Sequence, residues 1–421
     1  MFNGLYSALY TAALAFLLPF EYLKRPVELR KRWLVERFGI YEAARFCCAP
    51  VWIHAVSVGE VIASVPLLKK IKERHPSLDV IISTVTDTGQ KVARERAGAY
   101  AEIIYVPFDF PFAVRNALCK VRPAVFIIME TELWPNIIRI LKENNVPVVL
   151  MNGRLSERSH KGYKKMVFFI KHVLRNFTFL CVQDDIYAER FRSLGAEPER
   201  IKVLGSFKFD TRPSSSVPAW TETLSGPIII AGSTHETEED LILDAYMRLK
   251  SDFPGLNLII APRHPERFRT VEELLKKSGL KYIKRSDIPF RNGDTEKTAS
   301  GLVVLLDVIG ELSAVYGAAD IAVMGGSFIE HGGQNPLEPA FWRKAVVCGP
   351  HMENFPFMEE FYSSKGAVMA EARLLYGVLK GLLDSPEEMH RMGGIAKDLY
   401  EKNSGATDRA MEIIEKILTT R

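Results

Sequence analysis

The chain has 421 residues, 47% hydrophobic and 25% charged, with a formal net charge of +4. That size suits two domains rather than one, and the composition is that of a folded protein, which excludes a disordered or fibrous chain. The charge is too small to mark a nucleic-acid binder, so no nucleic-acid partner is expected, and five cysteines without a CxxC pair or zinc-like spacing read as unpaired thiols in a reducing compartment. Residues 1–22 open with a run that has no charged side chain before Glu21. As a helix it is about as long as a hydrocarbon core is thick. Lys24, Arg25, Arg30, Lys31 and Arg32 follow closely, which keeps the rest of the chain cytoplasmic. The run therefore reads as an N-terminal membrane anchor at the cytoplasmic face. Whether it spans the bilayer or lies in its interface stays open, because Asn3, Gly4 and Pro19 weaken a full span.

From residue 30 to 212 the text alternates strand-like and helix-like runs. VWIHAV, DVIIST, AEIIYVP, AVFIIME, VPVVLMN and FTFLCVQ are short and apolar, as buried parallel strands are. Helical patterns lie between them, for example over 61–74 and 136–144. Residues 213–220, rich in Pro and Ser, read as a linker. A second βα series over 221–400 carries PIIIAGS, NLIIAPR, LVVLLD, DIAVMGG and AVVCGP. Residues 401–421 read as a final helix that can return to the first domain. The expected fold class is therefore α/β, with two Rossmann-like parallel sheets and a cleft between them. Ligands in such sheets bind beyond the carboxyl ends of the strands.

Polar clusters fall at those places. Ser57 and Glu60 after the first strand spell a helix capping box, which leaves open whether Glu60 is a cap or a chemical group. Glu130, Thr131, Glu132 and Trp134 follow the fourth strand. In the second half, Ser233 and Thr234, Arg263, and the block Gly325–Gly326–Ser327 through Asn335 and Glu338 follow strands. Glycines let a backbone approach a ligand, and a helix start offers N–H groups to a phosphate. A nucleotide site is expected there, with Glu338 placed for ribose hydroxyls and Arg263 and Lys208 for the anion. No Asp-x-Asp and no shared His spacing suggests a metal, and a Gly-x-Gly-x-x-Gly is absent. Asp184–Asp185 reads as a solvated helix start. Residues 153–175 hold seven Lys/Arg and one Glu among Val167, Phe168, Phe169 and Ile170, an amphipathic helix suited to anionic lipid.

The ordered motifs HAVSVGE, ETELWPN, NGRLS, GSTHE-x-EE, APRHPER, GGSF…GG-x-NPLEPA and GPH-x-x-NF, from His54 to Phe355, resemble the 3-deoxy-D-manno-octulosonic acid (Kdo) transferases of lipopolysaccharide assembly. The resemblance implies the GT-B glycosyltransferase fold, CMP-Kdo as donor, a lipid A precursor (lipid IVA) as acceptor, the anionic inner-membrane surface as workplace, no cofactor, no metal and no protein partner. It makes Glu60 the general base. It places Arg263, Gly326, Ser327, Asn335 and Glu338 around CMP, with Ser233, Thr234 and Lys208 nearby, and Glu130, Glu132 and Arg154 on the acceptor and Kdo side. A helix dipole favours an ionised carboxylate in the first turn, so an ionised Glu60 is expected. Backbone N–H groups and the helix start near Asn335 are expected to hold leaving-group charge. Two departures are visible: Thr237 stands where the family motif has Gly, and Gln334 where His is common before Asn-Pro. The competing readings are a GT-B transferase with a UDP-sugar donor and a non-catalytic membrane-surface protein that binds nucleotide or anionic lipid.

Overall fold

The computed structural model describes residues 2–41, 49–211, 216–288 and 300–419. Cys47, Cys48 and residues 213–215 of the expected linker lie outside the described residues. The chain divides into two compact units, Met1–Thr211 with Ser404–Arg421, and Arg212–Asn403.

The first unit is built on a parallel sheet of β1 (Val51–His54), β2 (Val80–Thr84), β3 (Glu102–Tyr105), β4 (Val125–Met129), β5 (Val148–Gly153), β6 (Phe179–Val182) and β7 (Ile201–Val203), in the order β3-β2-β1-β4-β5-β6-β7. β1, β2, β4 and β5 are buried at every residue, which is why their sequences read as continuous apolar runs. The order reverses between β1 and β4, where His54 pairs with Ile128. That register sets the loops after β1 and β4 side by side at a topological switch point.

The edge strand β3 is protected by side chains. Glu36 accepts from Tyr105 N at 2.8 Å, Arg32 donates to the Ile103 carbonyl at 2.9 Å, and Arg37 donates to the Val106 carbonyl at 2.7 Å. These satisfy the backbone groups a free edge exposes, and they bind helix Val27–Arg37 to the sheet. The helix Phe2–Leu23 belongs to this unit as well. So does helix Ala406–Thr419, whose Ala406, Ala410, Met411, Ile414 and Ile417 complete the core under β1 and β4.

The second unit repeats the plan with β8 (Ile228–Thr234), β9 (Asn257–Pro262), β10 (Tyr282–Lys284), β11 (Val303–Leu305), β12 (Ile321–Met324), β13 (Ala345–Cys348) and β14 (Ala367–Met369), in the order β10-β11-β9-β8-β12-β13-β14. Its switch point lies between β8 and β12, where Gly232 pairs with Met324.

Some boundaries differ from the sequence expectation. Trp220 is buried and donates to Glu311 at 3.0 Å, so the end of the 213–220 stretch is part of the second unit rather than a linker. Helix Pro386–Asn403 runs past residue 400, and the break comes at Ser404–Gly405, where Gly405 takes φ +89°. The basic stretch 153–175 is two helices, Glu157–Lys164 and Val167–Leu174, not one; the first buries no residue. Asp184 caps helix Asp185–Ser193 by accepting from Tyr187 N.

Candidate functional site

Helix Val58–Arg74 starts directly after β1, with Ser57 as N-cap. Glu60 accepts from Val56 N at 2.7 Å and from the Ser57 hydroxyl at 2.8 Å, while its own N–H donates to Ser57 Oγ. Ser57 thus caps the Glu60 amide as in a capping box, while the Glu60 carboxylate reaches one residue further back, to Val56 N, and is held in place by both bonds. Glu60 is buried, and burial pushes its pKa up to about 7. The bonds from Val56 and Ser57 pull it down, and the carboxylates of Glu130 and Glu132 push it further up. Burial thus works against the ionised form that a helix start favours, and brings the titration of this carboxyl close to neutral pH.

Glu130 leaves β4 with φ +56°, an uncommon conformation for a side-chain-bearing residue and one that clusters at functional sites. Arg154 Nε donates to its carboxylate at 2.7 Å, and Thr131 donates to the Arg154 carbonyl. Burial and then Glu130 raise the pKa of Glu132. Trp134 ends this acidic loop with its ring 6.3 Å from that of the buried His54. Lys208 stands in the first unit, on the turn Phe207–Asp210 that Asn152 at the end of β5 fixes by accepting from Phe207 N. Burial lowers its pKa, with Arg154 adding to the fall and Glu130 opposing it. The structure therefore groups Lys208 with Glu130 and Arg154 in the first unit.

In the second unit the loops after β8 and β12 meet around a residue that sequence reasoning missed. Glu238 is buried, and its Oε2 accepts from His235 N at 2.9 Å and Gly326 N at 2.7 Å, its Oε1 from Phe328 N at 3.0 Å. A local signal existed: Glu238 follows His235 by three residues at a helix start, the spacing of a capping box. Its larger role, holding a loop 88 residues away, has no local signature. Of the glycine-loop amides expected to meet a phosphate, two, Gly326 N and Phe328 N, are thereby already taken by a carboxylate. Gly326, at φ +65°, sits close to the His235 ring and to Gln334.

Other expected nucleotide residues have defined partners. Thr234 donates to the buried Glu239 at 3.0 Å, and Glu239 also accepts from Arg267 at 2.9 Å. Ser327 is buried, donates to the Met324 carbonyl and accepts from Gly349 N, so its hydroxyl ties the ends of β12 and β13 together. Ser233 is half-buried at φ +56°. Asn335 Oδ1 accepts from Leu337 N at 3.2 Å. Glu338 is half-buried; burial pushes its pKa up to about 7, while Asn335 and Arg263 pull it down. The helix that begins at Leu337 has only five residues, too few to build the dipole expected near Asn335. Arg263 is exposed, and its N–H anchors the loop by donating to the Thr234 carbonyl at 3.0 Å. The His235 ring lies 4.3 Å from that of His331 and 5.8 Å from that of His264. Burial, then these neighbours and Arg263, hold His235 at about 4, so it is neutral at physiological pH. Among the described residues no group of His, Cys, Asp and Glu is arranged to hold a metal ion.

Thr237 takes φ +74° at the start of helix Glu238–Asp252. A β-branched residue is strained there, which gives the physical reason for the glycine in the motif it departs from.

A family model described as 3-deoxy-D-manno-octulosonic-acid transferase (kdotransferase) matches residues 32–211. The 3-deoxy-D-manno-octulosonic acid transferase of Haemophilus influenzae is 35% identical over 397 residues, covering 91% of each chain. That of Bordetella pertussis is 31% identical over 381 residues, covering 87% of each. MurG of Acinetobacter baumannii superposes with a TM-score of 0.54 over 88% of this chain and 100% of its own, at 12% identity. That likeness concerns the fold alone, the two-Rossmann GT-B arrangement.

Proposed function

Because the chain belongs to the 3-deoxy-D-manno-octulosonic acid transferase family and is a glycosyltransferase, we propose that it moves Kdo from CMP-Kdo to lipid IVA with inversion, using Glu60 as general base. The observation that carries this is the Glu60 carboxylate: rigid, buried, and raised to about 7 by burial and two neighbouring carboxylates. A sugar hydroxyl is a poor nucleophile near neutrality and needs a base matched to that pH. Glu60 takes the proton as the hydroxyl attacks the anomeric carbon and CMP departs. Arg154 and Lys208, beside Glu130, offer positive charge to an anionic group of sugar or acceptor. Arg263 meets the departing phosphate, and Glu338 the ribose, on a scaffold braced by Glu238, Glu239 and Ser327. The donor carries one phosphate, so no divalent ion is required to gather a diphosphate.

The N-terminal helix supports a seat in the membrane interface. Tyr6, Tyr10, Leu14, Leu18 and Tyr22, four residues apart, are its half-buried stripe, and Tyr10, Leu14, Leu18 and Tyr22 pack on the cluster of Trp33, Tyr105 and Phe108. Leu5, Leu9, Phe16 and Phe20 are exposed, as are Phe168 and Met166 on the basic pair of helices. A helix held against its domain along its length lies in the interface plane rather than across the bilayer. Basic side chains beside it then favour an anionic leaflet.

The test is product mass from CMP-Kdo and lipid IVA in detergent, for wild type and Glu60→Gln. Kdo addition by the wild type and near-silence of the folded variant is the expected pair. A variant that keeps most of its rate removes Glu60 from the chemistry.

A further inference from the structure

Asp109, in the loop after β3, is fully buried, yet nothing in the transfer reaction uses it. Its Oδ2 accepts from the Tyr6 hydroxyl at 2.8 Å and from Asn136 N at 3.1 Å, and its Oδ1 from Ile137 N at 2.7 Å. Its own N–H donates to the Tyr10 hydroxyl at 3.3 Å. Asn136 Nδ2 donates both to the Asp109 carbonyl at 2.7 Å and to Ser7 Oγ at 3.0 Å. One carboxylate thus caps the free amides at the start of helix Pro135–Glu143 and receives a hydroxyl of the N-terminal helix. Tyr6 also stacks on Phe169 at 6.0 Å, so the same contact reaches helix Val167–Leu174.

The residues directly before Pro135 are the acidic loop, Glu130 to Trp134. Glu130 and Glu132 act on the charge of Glu60, and Trp134 packs on His54. A shift of the helix start is therefore a shift of the loop. We propose that Asp109 is a positioning residue that ties the seating of the 2–23 helix to the geometry of the 130–134 loop, so that full turnover requires that helix in place. The proposal rests on the transfer reading above. It makes the N-terminal helix a part of the active geometry as well as an attachment: with the helix lifted, Asp109 loses the Tyr6 and Tyr10 hydroxyls, and Asn136 loses Ser7. The capping of helix Pro135–Glu143 then depends on a carboxylate exposed to water.

The experiment compares the full chain with Tyr6→Phe, Ser7→Ala, and the outward-face pair Leu9→Ser with Phe16→Ser. Each is assayed with CMP-Kdo and lipid IVA in phosphatidylethanolamine–phosphatidylglycerol vesicles, alongside vesicle sedimentation and thermal unfolding. Tyr6→Phe should bind vesicles like wild type and keep the KM for CMP-Kdo, while kcat falls roughly tenfold, since small misplacements of reacting groups cost rates of this order. The outward-face pair should lose vesicle binding instead. An unchanged kcat for Tyr6→Phe, or a fall matched by lost vesicle binding, overturns the proposal. If Tyr6→Phe does not fold, Ser7→Ala, which cuts only the link to Asn136, carries the same comparison. A wild type that yields no Kdo product sinks the transfer reading itself, a result distinct from either of these.

Discussion

Replacing Glu60 with Gln should make the first unit more stable at pH 8 and leave it unchanged or slightly weaker at pH 5. The folded carboxyl holds its proton up to about 7, against 4.5 for the ordinary side chain. Between those values the folded state binds more protons than the unfolded one, so stability falls as pH rises through the window. The full difference corresponds to about 3 kcal/mol above pH 7. Gln carries no charge to desolvate, but it has one acceptor oxygen where Glu60 uses two, for Val56 N and the Ser57 hydroxyl. That loss costs about 1 kcal/mol. The net gain at pH 8 is about 2 kcal/mol, or about 4–8 °C in the unfolding of a unit this size. Thermal unfolding of both proteins at the two pH values measures it. A variant equally destabilised at pH 5 and pH 8 would refute the reasoning, since the carboxylate would then act as a cap under no electrostatic strain.

The same linkage predicts that wild-type kcat rises with pH along a limb near 7, and that Glu132→Gln moves this limb to lower pH by removing a neighbouring charge; a pH–rate profile that ignores Glu132 counts against it. Glu238→Gln should weaken the second unit by about 2–3 kcal/mol in denaturant unfolding and raise the KM for CMP-Kdo, because an amide cannot accept from His235, Gly326 and Phe328 together. Thr237→Gly should stabilise the second unit by about 0.5–1 kcal/mol with activity retained, as relief of the left-handed conformation exceeds the added freedom of glycine in the unfolded chain. Turnover should persist in EDTA, which a coupled assay of CMP release checks.

The strands that flank both switch points were legible because burial on two faces leaves a continuous apolar run: Val51–His54, Val125–Met129, Ile228–Thr234 and Ile321–Met324. The sequence reading missed β7, β10 and β14, edge strands of three residues each; Lys202 and Lys284 interrupt the run in β7 and β10, and β14 is too short to show a pattern. Glu60 was legible as a residue, but its charge state was not. Its proton affinity depends on burial and on Glu130 and Glu132, which are 70 and more positions away in the chain. Glu238 and Asp109 escaped for the same reason, because each serves backbone amides brought to it only by the fold. Residues 153–175 misled because composition reports an amphipathic face and not the break at Lys165–Met166.

The second unit is one uninterrupted stretch of chain, whereas the first is sewn from two pieces. The seam is closed by Asp210, whose carboxylate accepts from Gly405 N and Thr407 N, and by Ser404, which donates to the Phe209 carbonyl. The second unit is thus an insertion in a continuous host. A gene that splices residue 211 to residue 404 should encode the Glu60-bearing half alone, with its last helix still filling the core beneath β1. A truncation after 211 should not, because it strips that helix away.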